Sequence, residues 1–248
     1  MSESENIISV EHLDAGYPGV RVLQNVNFES AQGEVFALLG GSGCGKSTMM
    51  KHLIGLNPAL AGKITIDGLV MNELNRPQIL RRIGVMYQSG ALFGSMSVLE
   101  NVMLPLEEFT RLPFQLRRTL ALMQLELVGL KEAADKMPAD LSGGMKKRAA
   151  IARAMALEPA ILFLDEPSAG LDPLTSSALD DLILRLRDTR GVTFVVVTHE
   201  LPSIFKIADR CAMFDRARHA MVALGKPAEL RESSADPFVR RFFNRGGD

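Results

Sequence analysis

Residues 35–47 read Val-Phe-Ala-Leu-Leu-Gly-Gly-Ser-Gly-Cys-Gly-Lys-Ser. The first five of them are apolar and predict a buried strand. The last eight, residues 40–47, fit the pattern Gly-x-x-x-x-Gly-Lys-Ser/Thr, and residues 48–54 predict a helix. A strand, a glycine-rich loop and a helix in this order form the context that the pattern requires.

The residue types of this loop suit the binding of a phosphate chain. Its glycines let backbone N–H groups point inward, and the following helix adds a partial positive charge at its N-terminus. We expect Lys46 to place its charge on the β- and γ-phosphates, and the Ser47 hydroxyl to bind Mg²⁺. The expected nucleotide-binding residues of this segment are Gly40, Gly41, Ser42, Gly43, Cys44, Gly45, Lys46, Ser47 and Thr48.

The alternative is a flexible glycine turn that binds nothing. A chance match to the pattern in a chain of this length is on the order of one per cent, given roughly 7% glycine usage, so we favour nucleotide binding. Cys44 lies inside the loop, which acts through its backbone. We therefore interpret Cys44 as a tolerated small residue rather than as a nucleophile.

Composition limits the class of protein. The chain has 248 residues, of which 47% are hydrophobic, and a formal net charge of -1. This length allows one domain, residues 1–248, with an inserted subdomain. The near-zero charge argues against nucleic acid as a partner, because nucleic-acid binders neutralise phosphates. The two cysteines, Cys44 and Cys211, predict no disulfide framework and a reducing compartment.

Neither a leader nor a membrane span is expected. Residues 1–6 read Met-Ser-Glu-Ser-Glu-Asn and lack the apolar core of a signal peptide. The sequence also contains no run of about 18 apolar residues. We therefore expect a cytoplasmic protein, which a partner would hold at a membrane.

The order of apolar segments predicts an α/β fold. Alternating segments within residues 7–30 predict an antiparallel β part, and from residue 89 to about 158 helical spacing replaces strand runs. The core is expected to comprise about residues 1–88 and 159–248, with a mostly parallel sheet flanked by helices, and residues 89–158 form an inserted α-helical subdomain. Further strands are predicted at 63–67, 83–87, 161–164, 192–197 and 211–214.

Two acidic residues follow the apolar run 161–164. In a protein with this phosphate-binding loop, an acid at the end of such a strand helps to hold Mg²⁺, and we assign this role to Asp165. Glu166 would then face the γ-phosphate and could orient or deprotonate water. The alternative is a pair of solvated carboxylates at a strand end.

Residues 140–145, Asp-Leu-Ser-Gly-Gly-Met, predict a second anion site. Gly143 and Gly144 each cost a helix about 1 kcal/mol relative to alanine, which suggests a backbone that approaches another group closely. Ser142 is suited to cap a helix from Met145 to Leu157, and a capped helix start can bind an anion. The alternative is an ordinary glycine-containing helix start.

Asp172 and Pro173 predict the start of another helix, as its cap and first residue. A purely structural role therefore already accounts for Asp172. The expected apolar stripe of this helix comprises Leu174, Ala178, Leu182 and Leu186.

His199 and Tyr17 are two further candidates for ligand-binding residues. His199 follows the strand run 192–197, at the kind of position where parallel α/β sheets bind ligands. Tyr17 lies in a glycine-rich turn, where it either stacks on an adenine ring or covers a sheet edge as a loop aromatic.

Taken together, these residues resemble the ATP-binding-cassette (ABC) ATPase family, from about Ile7 to the mid-220s. The signature Leu-Ser-Gly-Gly is the most diagnostic part, because other families with the same phosphate-binding loop lack it at this position. The motifs occur in the family's order: Tyr17, loop 40–47, Gln88, signature 141–145, Asp165 with Glu166, segment 168–172 and His199.

The resemblance implies ATP and Mg²⁺ as ligands and a role for each residue. Glu166 would be the catalytic base, aided by Lys46 and His199 at the γ-phosphate, and Tyr17 would stack on adenine. The implied Mg²⁺ site comprises Ser47, Gln88 and Asp165. The implied nucleotide contacts from a second copy of the chain comprise Ser142, Gly143 and Gly144, and Asp172 is counted with the nucleotide-binding residues. ATP would thus close a homodimer, which hydrolysis would open.

Residues 86–98 narrow the resemblance. They read Met-Tyr-Gln-Ser-Gly-Ala-Leu-Phe-Gly-Ser-Met-Ser-Val and lack the Pro-His pair that many importer cassettes carry after Leu-Phe. This stretch, with Met145 in the signature, is similar to the Mla-type phospholipid-transport ATPases. That similarity implies integral membrane permease subunits and, indirectly, an MCE-domain lipid carrier, and it allows a small cytosolic accessory subunit.

The resulting hypothesis is an ATP-hydrolysing subunit, peripheral on the cytoplasmic face of a bacterial inner membrane, that drives phospholipid transport and maintains lipid asymmetry. One alternative keeps the ATPase and changes the cargo to a small imported solute; the missing Pro-His pair speaks against it. The other is a soluble cassette ATPase outside transport, of which the iron–sulfur assembly type is the hardest to exclude by size.

Overall fold

The structure is a computed structural model that describes residues 6–244. Residues 1–5, on which most of the leader argument depends, lie outside the described part of the chain. Within residues 6–244, no helix is both long enough and apolar enough to span a bilayer.

An antiparallel sheet is built from the N-terminal part of the chain, as expected. Its strands lie in the order β2-β1-β4-β5, and every neighbouring pair is antiparallel. The Asp67-Gly68 turn joins the last two strands. The strands are β1 (Asn6–Tyr17), β2 (Val20–Ala31), β4 (Ala61–Ile66) and β5 (Leu69–Val70).

A second sheet of six strands confirms the α/β fold class. Its strands are β3 (Val35–Gly40), β6 (Ile83–Met86), β7 (Ile161–Asp165), β8 (Thr193–Val197), β9 (Arg210–Asp215) and β10 (Ala220–Gly225). They lie in the order β10-β9-β3-β8-β7-β6, and all neighbours are parallel except the edge strand β10. Strands β3 and β8 are buried throughout, because both faces of the sheet are covered.

Helices occupy the chain between β6 and β7, and no strand occurs in this fully described stretch. Two 3-10 turns, Lys131–Ala133 and Pro138–Asp140, lie among them. The assignment of residues 89–158 to a separate subdomain stays a prediction. The helices of the chain are α1 (Lys46–Leu53), α2 (Arg76–Leu80), α3 (Val98–Phe109), α4 (Phe114–Leu127), α5 (Gly143–Ala154), α6 (Pro173–Arg190), α7 (Leu201–Ile207), α8 (Pro227–Ser233) and α9 (Pro237–Phe243).

The alternation of side chains along β7 divides the core between two layers. Leu162 and Leu164 pack with the buried residues of α3 to α6. Ile161 and Phe163 pack with α1 and the antiparallel sheet. The phosphate-binding loop therefore sits at the end of a strand that is fixed from both faces.

The boundaries of two helices, α5 and α1, differ from the sequence-based expectation. Helix α5 begins at Gly143 rather than Met145, because the Ser142 hydroxyl accepts a hydrogen bond from the Met145 N–H at 3.3 Å and so makes Gly143 the first helical residue. It ends at Ala154 rather than Leu157. Helix α1 begins at Lys46, so the last two residues of the glycine-rich pattern are already helical.

The expected stripe on α6 is wrong in its first half. Leu174 is 82% exposed and Ala178 is also exposed, whereas Leu182 and Leu186 are buried. The buried face instead continues through Leu179 and Ile183. Leu174 and Ala178 therefore lie on the exposed face of α6, although the same first turns also contain the buried Ser176.

Candidate functional site

The phosphate-binding loop forms a tight turn between β3 and α1. Gly45 precedes the helix in a left-handed conformation, φ 107°, and no side chain caps the first turn. The Lys46 ammonium lies across the loop and donates to the carbonyl oxygens of Gly40 at 2.9 Å and Gly41 at 3.1 Å. Backbone N–H groups and one cation thus converge where a phosphate chain would bind.

The loop glycines are required for different reasons. A Cβ atom on Gly40 would collide with the Phe214 carbonyl oxygen, and one on Gly45 would lie 2.9 Å from the Leu23 side chain. A Cβ atom on Gly41 would meet nothing within 4 Å. Packing within the fold therefore explains why positions 40 and 45 are glycine. It does not explain glycine at position 41, where the bound ligand would be the reason.

Cys44 faces the protein interior. It is 2% exposed and belongs to the core beneath the loop. Burial raises the pKa of the Cys44 thiol, which favours the unreactive protonated form. This agrees with its interpretation as a small packing residue.

Glu166 is held by its backbone and by one carboxylate oxygen. It has a left-handed conformation, φ 47°, which is unusual for a residue other than glycine. Its N–H donates to the Val197 carbonyl at 2.8 Å, and its Oε1 atom accepts from the Nδ1 atom of His199 at 2.8 Å. Its Oε2 atom is buried and has no hydrogen-bond partner among residues 6–244.

Asp165 ends β7 beside the loop, as the sequence predicts. Burial, followed by the neighbouring Glu166 carboxylate, raises the pKa of Asp165, and the attraction of Lys46 only partly offsets this. A raised pKa means that the ionised carboxylate lacks enough positive charge nearby. A divalent cation at this position would supply it.

Lys147 is a part of the site that sequence reasoning missed. Its ammonium group is buried and donates to the carbonyl oxygens of Gln88 at 2.5 Å and Glu166 at 3.0 Å. Burial lowers the pKa of Lys147, while the carboxylates of Glu166 and Asp165 oppose this shift. One side chain thus ties α5 to the segments after β6 and β7. Lys147 precedes the apolar residues Ala150 and Ile151 by three and four positions. This helical spacing could have predicted that its side chain lies on the buried face of α5.

The cleft over the loop has a volume of about 540 Å³. Six of its lining residues are predicted site residues, and Leu201 and Phe242 were not expected. Phe242 comes from α9, where the Asp236 cap, Pro237 and an apolar i, i+3, i+4 pattern could have predicted a packed helix. The lining residues are Gly40, Gly41, Ser42, Lys46, Glu166, His199, Leu201 and Phe242.

The signature residues lie outside the cleft over the phosphate-binding loop. In the part of the chain that the structure describes, none of Ser142, Gly143 and Gly144 lines this cleft. A Cβ atom on Gly144 would lie 2.5 Å from the Thr175 side chain, so α5 and α6 pack tightly here. Asp172 also lies outside the cleft, where its carboxylate accepts from the N–H groups of Leu174 and Thr175 at 3.1 and 3.0 Å.

Three further predicted residues, Ser47, Gln88 and Tyr17, are exposed. Ser47 is exposed in the first turn of α1. Gln88 is exposed just after β6, and β6 pairs with β7. Tyr17 is 42% exposed, and the Lys51 ammonium lies 6.0 Å from its ring centroid. The ring is therefore accessible to a flat ligand beside α1.

This combination defines a P-loop ATPase: a glycine-rich loop at the end of the parallel strand β3, with a carboxylate pair at the end of β7, which is separated from β3 by β8 in the same sheet. A family model described as ABC transporter matches residues 23–169, more than half of the chain. The chain belongs to this family and is a nucleotide-binding ATPase.

Named relatives refine the comparison. The chain is 40% identical over 226 residues to the intermembrane phospholipid transport system ATP-binding protein MlaF of Escherichia coli (strain K12), covering 90% of this chain and 83% of the relative. It is 37% identical over 233 residues to MlaF of Haemophilus influenzae, with coverages of 93% and 88%. It is also 38% identical over 240 residues to the probable ribonucleotide transport ATP-binding protein mkl of Mycobacterium leprae, with coverages of 96% and 68%.

Solved structures agree with the fold. The chain matches cbiO1 from Clostridium perfringens, part of the ABC transporter complex cbiONQ, with a TM-score of 0.84 at 30% identity, covering 97% of this chain and 95% of that chain. It matches the dimeric bacterial ABC transporter cassette MJ0796 with a TM-score of 0.79 at 31% identity, covering 88% and 98%. A post-hydrolysis dimer of the same cassette, bound to ADP and Pi, matches with the same TM-score at 30% identity.

Proposed function

We propose that this chain is the ATP-hydrolysing subunit of a bacterial transporter that moves phospholipids between the inner and outer membranes. The assignment of phospholipid as the cargo rests on the 40% identity to a phospholipid transport ATP-binding protein over 90% of the chain. The stretch Gln-Ser-Gly-Ala-Leu-Phe at residues 88–93 supports the same assignment.

The chemistry falls to residues of the cleft. Glu166 is the general base: its Oε2 atom has no partner among the described residues, while His199 holds Oε1. Lys46 binds the β- and γ-phosphates, and Tyr17 stacks on adenine. When bound, Mg²⁺ would supply positive charge to offset the charge that develops on the phosphates. The residues that would hold it are Ser47, Gln88 and Asp165, and the raised pKa of Asp165 fits a cation there.

The functional unit is a homodimer. Ser142 and Gly143 are exposed at a helix start outside their own cleft, with Gly144 buried beside them, and the dimeric cassette at 31% identity supports pairing of two chains. In this arrangement, the signature of one chain covers the nucleotide of the other. The exposed Leu174 lies near this surface at the start of α6 and would be covered in the same closure.

The free energy required for closure is modest. Moving a two-state dimer from mostly open to mostly closed needs about 5.5 kcal/mol of differential binding. Charge-assisted hydrogen bonds contribute roughly 1.5–3 kcal/mol each. A few such bonds from two signature helices to two γ-phosphates therefore suffice.

Transport also requires a membrane permease. Exposed aromatic side chains lie after β6 and along the helices that follow it, and they are suited to an apolar docking surface. The chain would accordingly be peripheral on the cytoplasmic face of the inner membrane, next to permease subunits and, indirectly, an MCE-domain lipid carrier. The aromatic residues are Tyr87, Phe93, Phe109 and Phe114.

Affinity purification of the tagged chain from detergent-solubilised membranes, with mass spectrometry of proteins and lipids, tests the cargo. Recovery of a permease, an MCE-domain protein and phospholipid is expected. A permease with a solute-binding protein would overturn the lipid cargo and keep the ATPase. Ribonucleotide-dependent stimulation of the purified complex would favour the cargo named for the mkl relative. Recovery of soluble partners alone, from membranes in which the permease is detected, would favour a cassette ATPase outside transport.

A further inference from the structure

Helix α7 begins two residues after His199 and packs against α6. Residues 198–200, between β8 and α7, have no regular secondary structure. The position of the His199 side chain therefore depends on how β8 is held before it and on how α7 is held after it.

Polar side chains join α7 to α6. The Ser203 hydroxyl donates to the Oδ2 atom of Asp180 at 2.9 Å, and both residues are buried. The Lys206 ammonium donates to the Ser177 carbonyl oxygen at 2.9 Å and to the Ser177 hydroxyl at 2.8 Å. It also lies 2.6 Å from a carboxylate oxygen of Asp181. Because Ser203 and Lys206 are three positions apart, they lie on one face of α7, and this whole face is tied to α6.

Asp180 is the unusual member of this contact. Burial raises the pKa of Asp180, and the Ser203 hydrogen bond and the Lys206 charge offset this only in part. Burying a carboxylate costs free energy that an apolar side chain at the same place would gain. A hydrogen bond, however, is strong only within a narrow range of distance and angle. The Asp180–Ser203 pair is therefore better suited to fix the position of α7 than to stabilise the fold.

The apolar contacts of α7 are less restrictive. Ile204 packs with buried residues of α9, and Ile207 packs with buried residues of α6. The hydrophobic effect is non-directional, so these contacts hold α7 against the protein without fixing its rotation about its own axis. The polar contacts to α6 supply that restriction.

We propose that Asp180 and Lys206 are positioning residues for ATP hydrolysis: through α7 they hold the His199 imidazole against Glu166. In the part of the chain that the structure describes, neither of them lines the nucleotide cleft. Their loss should therefore lower the rate of hydrolysis and leave nucleotide affinity unchanged. This inference rests on the proposed roles of Glu166 and His199.

Steady-state hydrolysis and ATP titration of the full-length chain give the first test. Asp180→Leu removes the acceptor for Ser203, and Lys206→Met keeps the length of the side chain without its donors. Each should lower kcat about tenfold, because small displacements of catalytic groups are costly, with an unchanged Kd for ATP. Asp180→Asn keeps an acceptor and should retain most of the rate. Lys226→Met, at an exposed position before α8, should have no effect. Unchanged rates in the first two variants, or equal losses in the two controls, would overturn the proposal.

A double-mutant cycle separates positioning from general destabilisation. Phosphate release in a single turnover is compared with and without His199→Ala. Since Asp180 acts through His199, Asp180→Leu should change the rate of His199→Ala by about twofold or less. An equal loss in both backgrounds would overturn the proposal. Normal hydrolysis by His199→Ala itself would instead contradict the proposed function, so the two failures are distinguishable.

Nitrogen NMR of the histidine rings tests the placement of His199 without hydrolysis, and His199→Gln assigns the signal. The wild-type ring should carry its proton on Nδ1, since that atom donates to Glu166 at 2.8 Å. Asp180→Leu should give a mixture of the two tautomers. Thr193→Val removes another buried hydrogen bond, donated by the Gly33 N–H at 2.9 Å, at the far end of β8 from His199. This control should lower the thermal midpoint and leave the His199 signal unchanged. An unchanged His199 signal in Asp180→Leu would overturn the positioning role.

Discussion

The Nδ1 atom of His199 lies 2.8 Å from the Oε1 atom of Glu166, although 33 positions separate the two residues in the chain. They meet because Asp165 and Val197 are paired in the parallel strands β7 and β8, so both residues follow the same edge of the sheet. A carboxylate oxygen can only accept, so the imidazole donates. The contact fixes one oxygen of Glu166 and leaves the other as the candidate base.

The substitution Glu166→Gln removes the base and keeps the shape of the side chain. We expect ATP hydrolysis to fall by about 10²–10⁴-fold, the usual contribution of a positioned base, while ATP still binds. Steady-state phosphate release and a fluorescent-nucleotide titration measure the two effects. Glu132→Gln makes the same change at an exposed site and should leave both unchanged. Normal hydrolysis by Glu166→Gln would refute the assignment.

Loss of the Lys147 ammonium should slow turnover without weakening nucleotide binding. Lys147→Met keeps the length of the side chain and removes both donated hydrogen bonds, so the backbone around Gln88 and Glu166 loses its common anchor. We expect kcat to fall about tenfold, equivalent to about 1.4 kcal/mol, with KM for ATP nearly constant. Lys147→Arg should restore part of the rate, and Lys146→Met should have little effect. An equal loss in the two methionine variants would contradict the positioning role.

A substitution at Gly41 should affect ligand binding without affecting folding stability. Neither Gly41 nor Gly94 has a heavy atom within 4 Å of an added Cβ, and neither has a positive φ. Alanine at either position should therefore leave the thermal midpoint nearly unchanged. Gly41→Ala should weaken ATP binding about tenfold, because its Cβ atom would approach the phosphates, and Gly94→Ala should not. Full ATP affinity in Gly41→Ala would argue against close phosphate contact at this position.

Asp165 should destabilise the nucleotide-free protein at neutral pH. Its folded pKa is raised above the ordinary value of 3.8, so the folded chain holds the proton more tightly than the unfolded chain does. The resulting loss of folding stability is absent below pH 3.8. It grows as the pH rises towards the folded pKa of Asp165, and it is complete above that pKa. Asp165→Asn should thus raise the free energy of unfolding at pH 7.5, and the gain should shrink as the pH falls towards 3.8, in urea titrations. The exposed Asp135→Asn serves as the control, and a loss of stability in Asp165→Asn at pH 7.5 would contradict the burial argument.

Local motifs were the predictable part of this protein. The strand-loop-helix around Lys46, the Ser142 cap and the Asp172 cap depend on residues within a few positions of one another. Short-range geometry of this kind can be inferred from spacing alone. The sequence also placed Asp165 and Glu166 correctly, because an apolar run marks the end of a strand.

Contacts between distant segments were the unpredictable part. Lys147 and the Gln88 carbonyl are 59 positions apart, and the packing of α5 against β6 brings them together. Phe242 reaches the cleft because α9 packs beside α7, and the buried His52 ring of α1 contacts the backbone of Gly16, which lies 36 positions earlier in the chain. The error on α6 has the same origin, since Leu174 satisfies helical spacing but is exposed, whereas tertiary packing buries Leu179 and Leu182.

The central claim is that two chains enclose ATP between them. It is tested most directly by measuring the molar mass of the Glu166→Gln variant with ATP and Mg²⁺, by light scattering after size exclusion. A dimer is expected with ATP and a monomer with ADP. Adding Ser142→Arg should abolish the dimer while ATP binding to the monomer persists, because the signature contacts the nucleotide of the other chain. A monomer in both nucleotides, or a dimer that survives Ser142→Arg, would contradict the mechanism.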